Sequence, residues 1–310
     1  MEKINTQKAL RGELRFDEPM ATHTTFKVGG PADVWVRPEG PSFPEYTALL
    51  LKTARDAEVP VFILGGGANL VVSDRGIRGI VLDTSGWSSW QVEDHSILFY
   101  AGISVDRAVE VCADHNRQGL AFLAGMPGSI GGAIWMNARC YNRSISDVLL
   151  ETWILNERLQ EEWVPFNADD FDYKTSPFQR RPILILGGRF RTSIQPREDL
   201  VVEMRTYRQD REAKGHYKLP SAGSAFKNNH AFGKPTGKII DELGLRGFSI
   251  GGARVADWHG NIIVNTGNAT ASDIFILTEE LKKRVRSALG FTLECEILFV
   301  GDWNGVDIKS

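Results

Sequence analysis

The short apolar run Val61-Phe62-Ile63-Leu64 empties directly into Gly65-Gly66-Gly67-Ala68-Asn69-Leu70. A glycine turn after a strand lets main-chain N–H groups point at an anionic oxygen, a common way to hold a pyrophosphate. Two widespread folds that do this are excluded. A Rossmann unit follows its glycines with a helix, and a P-loop closes on Gly-Lys and a hydroxyl residue. Here the chain continues as Val71-Val72, turns through Ser73 to Gly76 and re-enters a strand by Ile80, leaving no room for a crossover helix. Three glycines in a tight structural turn remain an equal alternative at this point.

A second glycine-rich segment, Gly125-Met126-Pro127-Gly128-Ser129-Ile130-Gly131-Gly132-Ala133, leads into Ile134-Trp135-Met136-Asn137-Ala138. Two such turns in one half of a chain point to a large, extended, phosphate-bearing cofactor lying across strand ends. The composition, 42% hydrophobic and 24% charged, is that of an ordinary globular protein, and 310 residues are enough for two or three cores. A net charge of -3 supplies no global basic field, so no nucleic-acid partner is expected and an anionic ligand must be met locally. Cys112, Cys140 and Cys295 are widely spaced, odd in number and without Cys-x-x-Cys spacing. They read as free thiols, with no disulfide framework and no metal site. Met1 to Phe16 has no apolar signal core and no run reaches transmembrane length, so a cytoplasmic chain without membrane insertion is expected.

Along the chain, 1–19 is assigned as a polar tail or early helix, and Thr24 to Val36 as two short strands around Gly29-Gly30-Pro31. Ser42 and Glu45 have capping-box spacing for a helix, and Ser104 starts another whose inner face holds Val105, Val109 and Cys112. Pro182 to Leu186 reads as a buried strand broken by Gly187-Gly188, and the basic stretch Glu203 to Lys218 as a linker or exposed helix. Ile274, Leu277, Leu281, Val285 and Leu289 mark a final helix, capped by Thr270 or Ser272 and stopped by Gly290.

Pro220-Ser221-Ala222-Gly223-Ser224-Ala225-Phe226-Lys227-Asn228 gathers a hydroxyl, small residues, a lysine and a carboxamide in one turn-prone run. In the last strand, alternation places Leu293, Cys295, Ile297 and Phe299 on one face and Glu294 and Glu296 on the other, beside Leu298 and Val300. The acidic pair reads either as a solvated face or as a candidate proton carrier in apolar surroundings.

Taken in order, the segments Thr24 to Ala32, Leu64 to Leu70, Gly125 to Ala138, Pro220 to Asn228, Gly237 to Gly247, Gly252 to Val255 with His259, Ile263 to Thr270 and Leu293 to Gly301 resemble those of the UDP-N-acetylenolpyruvoylglucosamine reductase family. These are flavoenzymes of peptidoglycan precursor synthesis. The resemblance implies an α+β protein: a vanillyl-alcohol-oxidase-type FAD-binding domain over 20–200, in lobes of about 20–85 and 86–200, and a substrate-binding C-terminal domain over 201–305. With little between Gly244 and the final helix, the chain looks like the shorter variety. Gly65, Gly66, Gly67, Ala68, Asn69 and Leu70 would cradle the pyrophosphate of non-covalent FAD; Pro127, Gly128, Ser129, Gly131, Gly132 and Ala133 would lie along the flavin.

In the family, hydride passes from NADPH to flavin N5 and on to the enolpyruvyl methylene carbon of a UDP-sugar. By motif match Ser224 would donate the proton and Glu296 polarise the substrate carboxylate. An electron-rich enol ether accepts hydride only when charge developing on the adjacent carboxylate is stabilised. The matching cation is arginine in the family and Lys174 here, which keeps the charge but loses the planar fork. Tyr141, Tyr173, Lys218 and Asn228 would contact the substrate, the last two at the diphosphate. Arg139, Cys140 and Asn142 replace residues that are small in the family. A monomer is expected. Competing readings are a flavin enzyme acting on an alcohol, a serine hydrolase, for which Ser224 lacks the Gly-x-Ser-x-Gly setting, and a family member with reduced or lost turnover owing to Lys174.

Overall fold

In the computed structural model, which describes residues 11–304, the strand Val61–Leu64 lies parallel to Ile77–Asp83, with Leu64 opposite Asp83. Parallel neighbours are usually joined by a helix. Here the connection instead contains the strand Leu70–Val72, which pairs in parallel with Leu298–Val300 near the far end of the chain. That long-range pairing sets the domain organisation. One compact unit takes Val34–Gly66 and Gly79–Gln209 with the described residues up to Phe16; the other takes Asp17–Asp33, Gly67–Arg78 and the described residues from Asp210 onward. Residues 20–33 and 67–78, placed by the sequence in the 20–200 domain, therefore fold with the C-terminal residues, as do 17–19 of the expected tail. Phe26, Val28 and Val71 are buried there in one core with Ile274, Leu277 and Ile297.

The first unit is built on a five-stranded antiparallel sheet, in the order Glu161–Pro165, Leu149–Leu155, Leu184–Arg191, Ser96–Tyr100, Trp90–Val92. Its core joins Val36, Phe43 and Leu82 to Ile97, Phe99 and Ile134, so the two lobes expected at about 20–85 and 86–200 share one interior. The strand Leu184–Arg191 runs through Gly187-Gly188 instead of ending there. A Cβ on Gly188 would stand 2.6 Å from Ile134 Cδ1, so any side chain there would push Ile134 of the helix Ile130–Trp135 aside. The expected helix from Ser42 is present as Phe43–Asp56, but the Ser42 side chain makes no cap bond; Ser104 does cap Val105–Asp114, accepting from the Arg107 N–H.

Two expectations near the N-terminus change. The first ten residues of the 1–19 tail lie outside the described residues, and Gly12–Pro19 is a strand at the edge of a four-stranded sheet. Charged residues suit such an edge, where Glu13 pairs with Arg37 and Leu14 and Phe16, which alternate with the charges, are exposed. Of the two strands around Gly29-Gly30-Pro31, only Pro31–Pro38 forms. The preceding run is bent by Lys27 at φ +56° and by the Thr24 hydroxyl donating to the Val28 carbonyl.

In the second unit the helix Ala271–Leu289 buries Ile274, Leu277, Leu281 and Val285. Thr270 and Asp273 form a reciprocal capping box, and Gly290 ends the helix at φ +73°. The same unit half-buries two histidines. Burial, followed by the nearby Arg211 guanidinium, pushes His216 down to about 4, and burial also lowers His259. A base whose folded pKa is depressed takes up its proton more readily when unfolded, so stability is full above about 6.5 and falls as pH drops toward 4. Urea midpoints should fall between pH 7 and pH 4.5, and His216→Asn should flatten the decline, His259 accounting for the remainder. An unchanged slope in H216N would contradict this assignment.

Candidate active site

Within the second unit, Ser224 and Glu296 sit on adjoining extended segments. Ser224 bridges Ile262, and Phe226 bridges Cys295. The Ala225 carbonyl accepts from both the Glu296 N–H, at 2.8 Å, and the Ile297 N–H, at 3.5 Å. Two residues opposed to one is a β-bulge, which bends the strand and re-aims a side chain. This breaks the alternation expected from the sequence: Glu296 and Ile297 are both buried, whereas Glu294 is exposed and pairs with Lys227. The two glutamates therefore differ in exposure, and the alternation breaks between Glu296 and Ile297. Regular strand begins only at Leu298. Between them, Cys295 has its thiol pushed up by burial, which makes it a poor nucleophile at neutral pH. Cys112, expected in the core, is buried and pushed up to about 12.

Asn261 holds the serine segment in place. Its carbonyl accepts from the Ala225 N–H at 2.8 Å, while its side chain accepts from the Phe226 N–H at 3.0 Å and donates to the Phe226 carbonyl at 2.8 Å. The carboxamide thus acts as an extra strand partner. Asn69 plays a matching part on the other side, donating Nδ2 to the Glu296 carbonyl at 2.9 Å. Asn69 and Leu70, assigned by the sequence to a pyrophosphate cradle, are thus built into the Glu296 segment, Leu70 opposite Leu298.

The division between units falls between Gly66 and Gly67. In the first unit Gly65 and Gly66 lie back to back with the second glycine-rich turn. A Cβ on Gly66 would stand 2.6 Å from Gly128 Cα, and one on Gly65 would stand 2.6 Å from Ser129 Oγ. Gly66, Pro127 and Gly132 are exposed. The result is a main-chain ledge free of bulky side chains, which fits the extended diphosphate of a dinucleotide cofactor. Asp106 steadies it, accepting from the Gly125 N–H at 2.7 Å and from Arg208 at 2.9 Å. Arg208 belongs to the basic stretch read as solvated, so one of its charges has a specific partner. Ser129 caps the helix Ile130–Trp135 through the Gly132 N–H, and Ala133 is buried on its inner side.

Three more expected residues lie in the first unit. Tyr141 packs its ring 4.6 Å from Tyr207, and Lys174 stands at φ +58° in a tight turn closed by Asp172 and Thr175, beside Tyr173. Two lie in the second. Lys218 is exposed with its ammonium 4.9 Å from the Trp258 ring centre, and Asn228 accepts from the Thr236 N–H at 2.9 Å, securing the helix Thr236–Glu242. Sequence reasoning missed Asn261, Asp106 and Asn137. Each is a buried or turn-side polar residue whose partner is distant in sequence, so no local pattern marks it.

Comparison with known proteins agrees with both halves of this description. Residues 41–157 match the family model for an FAD binding domain, and residues 215–300 match that for the UDP-N-acetylenolpyruvoylglucosamine reductase, C-terminal domain. The UDP-N-acetylenolpyruvoylglucosamine reductase of Treponema denticola is 38% identical over 316 residues, covering 96% of this chain and 97% of its own. That of Bacillus subtilis is 35% identical over 308 residues, covering 97% and 99%. The crystal structure of UDP-N-acetylenolpyruvylglucosamine reductase from Thermus caldophilus matches with a TM-score of 0.75 at 29% identity, covering 94% of this chain and 99% of that one. With an FAD-binding domain followed by this C-terminal domain, and with relatives matched along nearly its whole length, the chain belongs to the UDP-N-acetylenolpyruvoylglucosamine reductase family.

Proposed function

We propose that the protein reduces the enolpyruvyl ether of UDP-N-acetylglucosamine enolpyruvate to the lactyl ether of UDP-N-acetylmuramate, with NADPH as the electron donor. The observation that carries this reading is the bulge opposite Ala225, which couples a hydroxyl and a buried carboxyl group on adjoining segments. The glycine ledge at Gly65, Gly66 and Gly128 would hold FAD, which supplies hydride at N5 for the methylene carbon. The remaining chemistry belongs to the protein.

Hydride addition leaves negative charge shared between the ether-bearing carbon and the carboxylate. Glu296 and Lys174 are assigned to stabilise that charge, and Ser224 to deliver the proton to the carbon. A serine hydroxyl is a weak acid, so its proton must be replaced from a relay after transfer. Lys218 and Asn228 are assigned to the diphosphate, and Tyr141 and Tyr173 to the sugar end. We take the enzyme to act in the cytoplasm, as a monomer.

The purified protein should carry the visible spectrum of oxidised flavin, bleach with NADPH under anaerobic conditions and recover colour on adding the enolpyruvyl UDP-sugar. Reduced flavin that persists in the presence of that sugar would overturn the reading. Lys174→Gln removes the cation and should lower kcat/KM by roughly 10- to 100-fold, as expected for losing one charge-assisted hydrogen bond. Flavin reduction by NADPH should keep its rate in K174Q; equal slowing of both half-reactions would place Lys174 outside the substrate step.

A further inference from the structure

Arg139 and Lys174 lie on two tight turns of the first unit that are bound to each other. In the first, Arg139–Cys140 pairs with Arg143–Ser144, Ser144 opposite Arg139 and Arg143 opposite Cys140. This leaves Tyr141 and Asn142 as a two-residue connection, both at positive φ, 51° and 59°. Such turns are normally filled by Asn-Gly or Gly-Gly, so a tyrosine in the first position holds a strained backbone. In the second turn, Asp172 and Thr175 exchange main-chain bonds in both directions, with Lys174 in the left-handed region.

Asn137, itself buried and at φ +44°, donates Nδ2 to the Asp172 carbonyl at 2.8 Å, tying one turn to the other. Gln179 fixes the second turn from below, donating to the Lys174 carbonyl and to the Trp135 carbonyl, each at 3.0 Å. Across this link the Arg139 guanidinium lies over the Tyr173 ring, 5.9 Å from its centre. Arg139 is exposed, and among the described residues no carboxylate pairs with it. Arginine at an exposed turn beside a ring, without a carboxylate ion pair, has its planar donors available to an anion even with Asp172 and Asp147 on the adjoining turns.

We infer that Arg139 is a further substrate-binding residue, which supplies the two-pronged grip on the substrate carboxylate that a lysine at position 174 does not provide. A lysine ammonium is a point charge that leaves a carboxylate free to rotate, whereas a guanidinium fixes its plane through two parallel bonds. The inference rests on the assignment of Lys174 to that carboxylate. It adds that the cation is shared between two locked turns, one residue giving charge and the other orientation.

The test compares two ligands on the oxidised holoenzyme: the enolpyruvyl UDP-sugar, and UDP-N-acetylglucosamine, which lacks the carboxylate. Arg139→Ala should raise Kd for the first by about tenfold or more, the scale of one lost charge-assisted hydrogen bond, and leave Kd for the second unchanged. Arg139→Lys, which restores charge without the fork, should fall between R139A and the parent enzyme. Flavin content and thermal midpoint show that each variant is folded, and R139K carries the test if R139A is not. Equal weakening of both ligands, or no change in either, overturns the inference for Arg139. If K174Q discriminates between the ligands and R139A does not, only the role of Arg139 fails; if neither does, the carboxylate assignment of Lys174 fails with it.

Discussion

The Ala225 carbonyl accepts two N–H groups from consecutive residues, and the Glu296 side of the site depends on that irregularity. A regular ladder would continue the alternation and put Glu296 and Ile297 on opposite faces. The bulge sets both residues against Ala225, and both are buried while the Glu296 main chain stays hydrogen-bonded. Burying a carboxyl group is costly, and unpaired main-chain groups beside it would add about 1–3 kcal/mol each. Asn69 and Asn261 prevent that cost, one satisfying the Glu296 carbonyl and the other both main-chain groups of Phe226. The serine and the glutamate are positioned by these two carboxamides as much as by the strands.

The first unit applies the same economy to a different problem. Its glycine turns pack main chain against main chain, so no side chain fills the ledge, and Asp106 ties the second turn to Arg208. Tyr141, Asn142 and Lys174 all occupy left-handed backbone, a conformation that non-glycine residues adopt only when the surroundings enforce it. Asn137 and Gln179 provide that enforcement. Side chains placed on such turns have little freedom to drift, which favours orientation of a bound anionic group.

What the sequence made legible follows from the range of the interactions. The closing helix was readable from its apolar spacing and from Thr270 and Gly290, because caps are local. The glycine turns and the Ser224 run were readable because unusual composition marks them. The course of the chain through Gly187-Gly188 was not, since glycine reads as a breaker while its cause, Ile134 on another element, is invisible locally. The membership of residues 67–78 in the second unit depends on Leu70–Val72 meeting Leu298–Val300, a pairing across more than two-thirds of the chain. The bulge at Glu296 was hidden for the same reason: alternation describes a strand by itself, whereas a bulge belongs to a pair of strands. Family resemblance supplied the roles expected of Ser224 and Glu296; the structure places them on adjoining hydrogen-bonded segments.

The central claim is that this pairing serves proton delivery in the second half of the reaction. The most direct measurement is anaerobic stopped-flow of Ser224→Ala, reading flavin absorbance in both halves separately. Loss of a general acid should slow reoxidation by the enolpyruvyl UDP-sugar by about 10²- to 10⁴-fold while reduction by NADPH proceeds at the parent rate. Reoxidation at the parent rate in S224A, or equal slowing of both halves, would contradict the account.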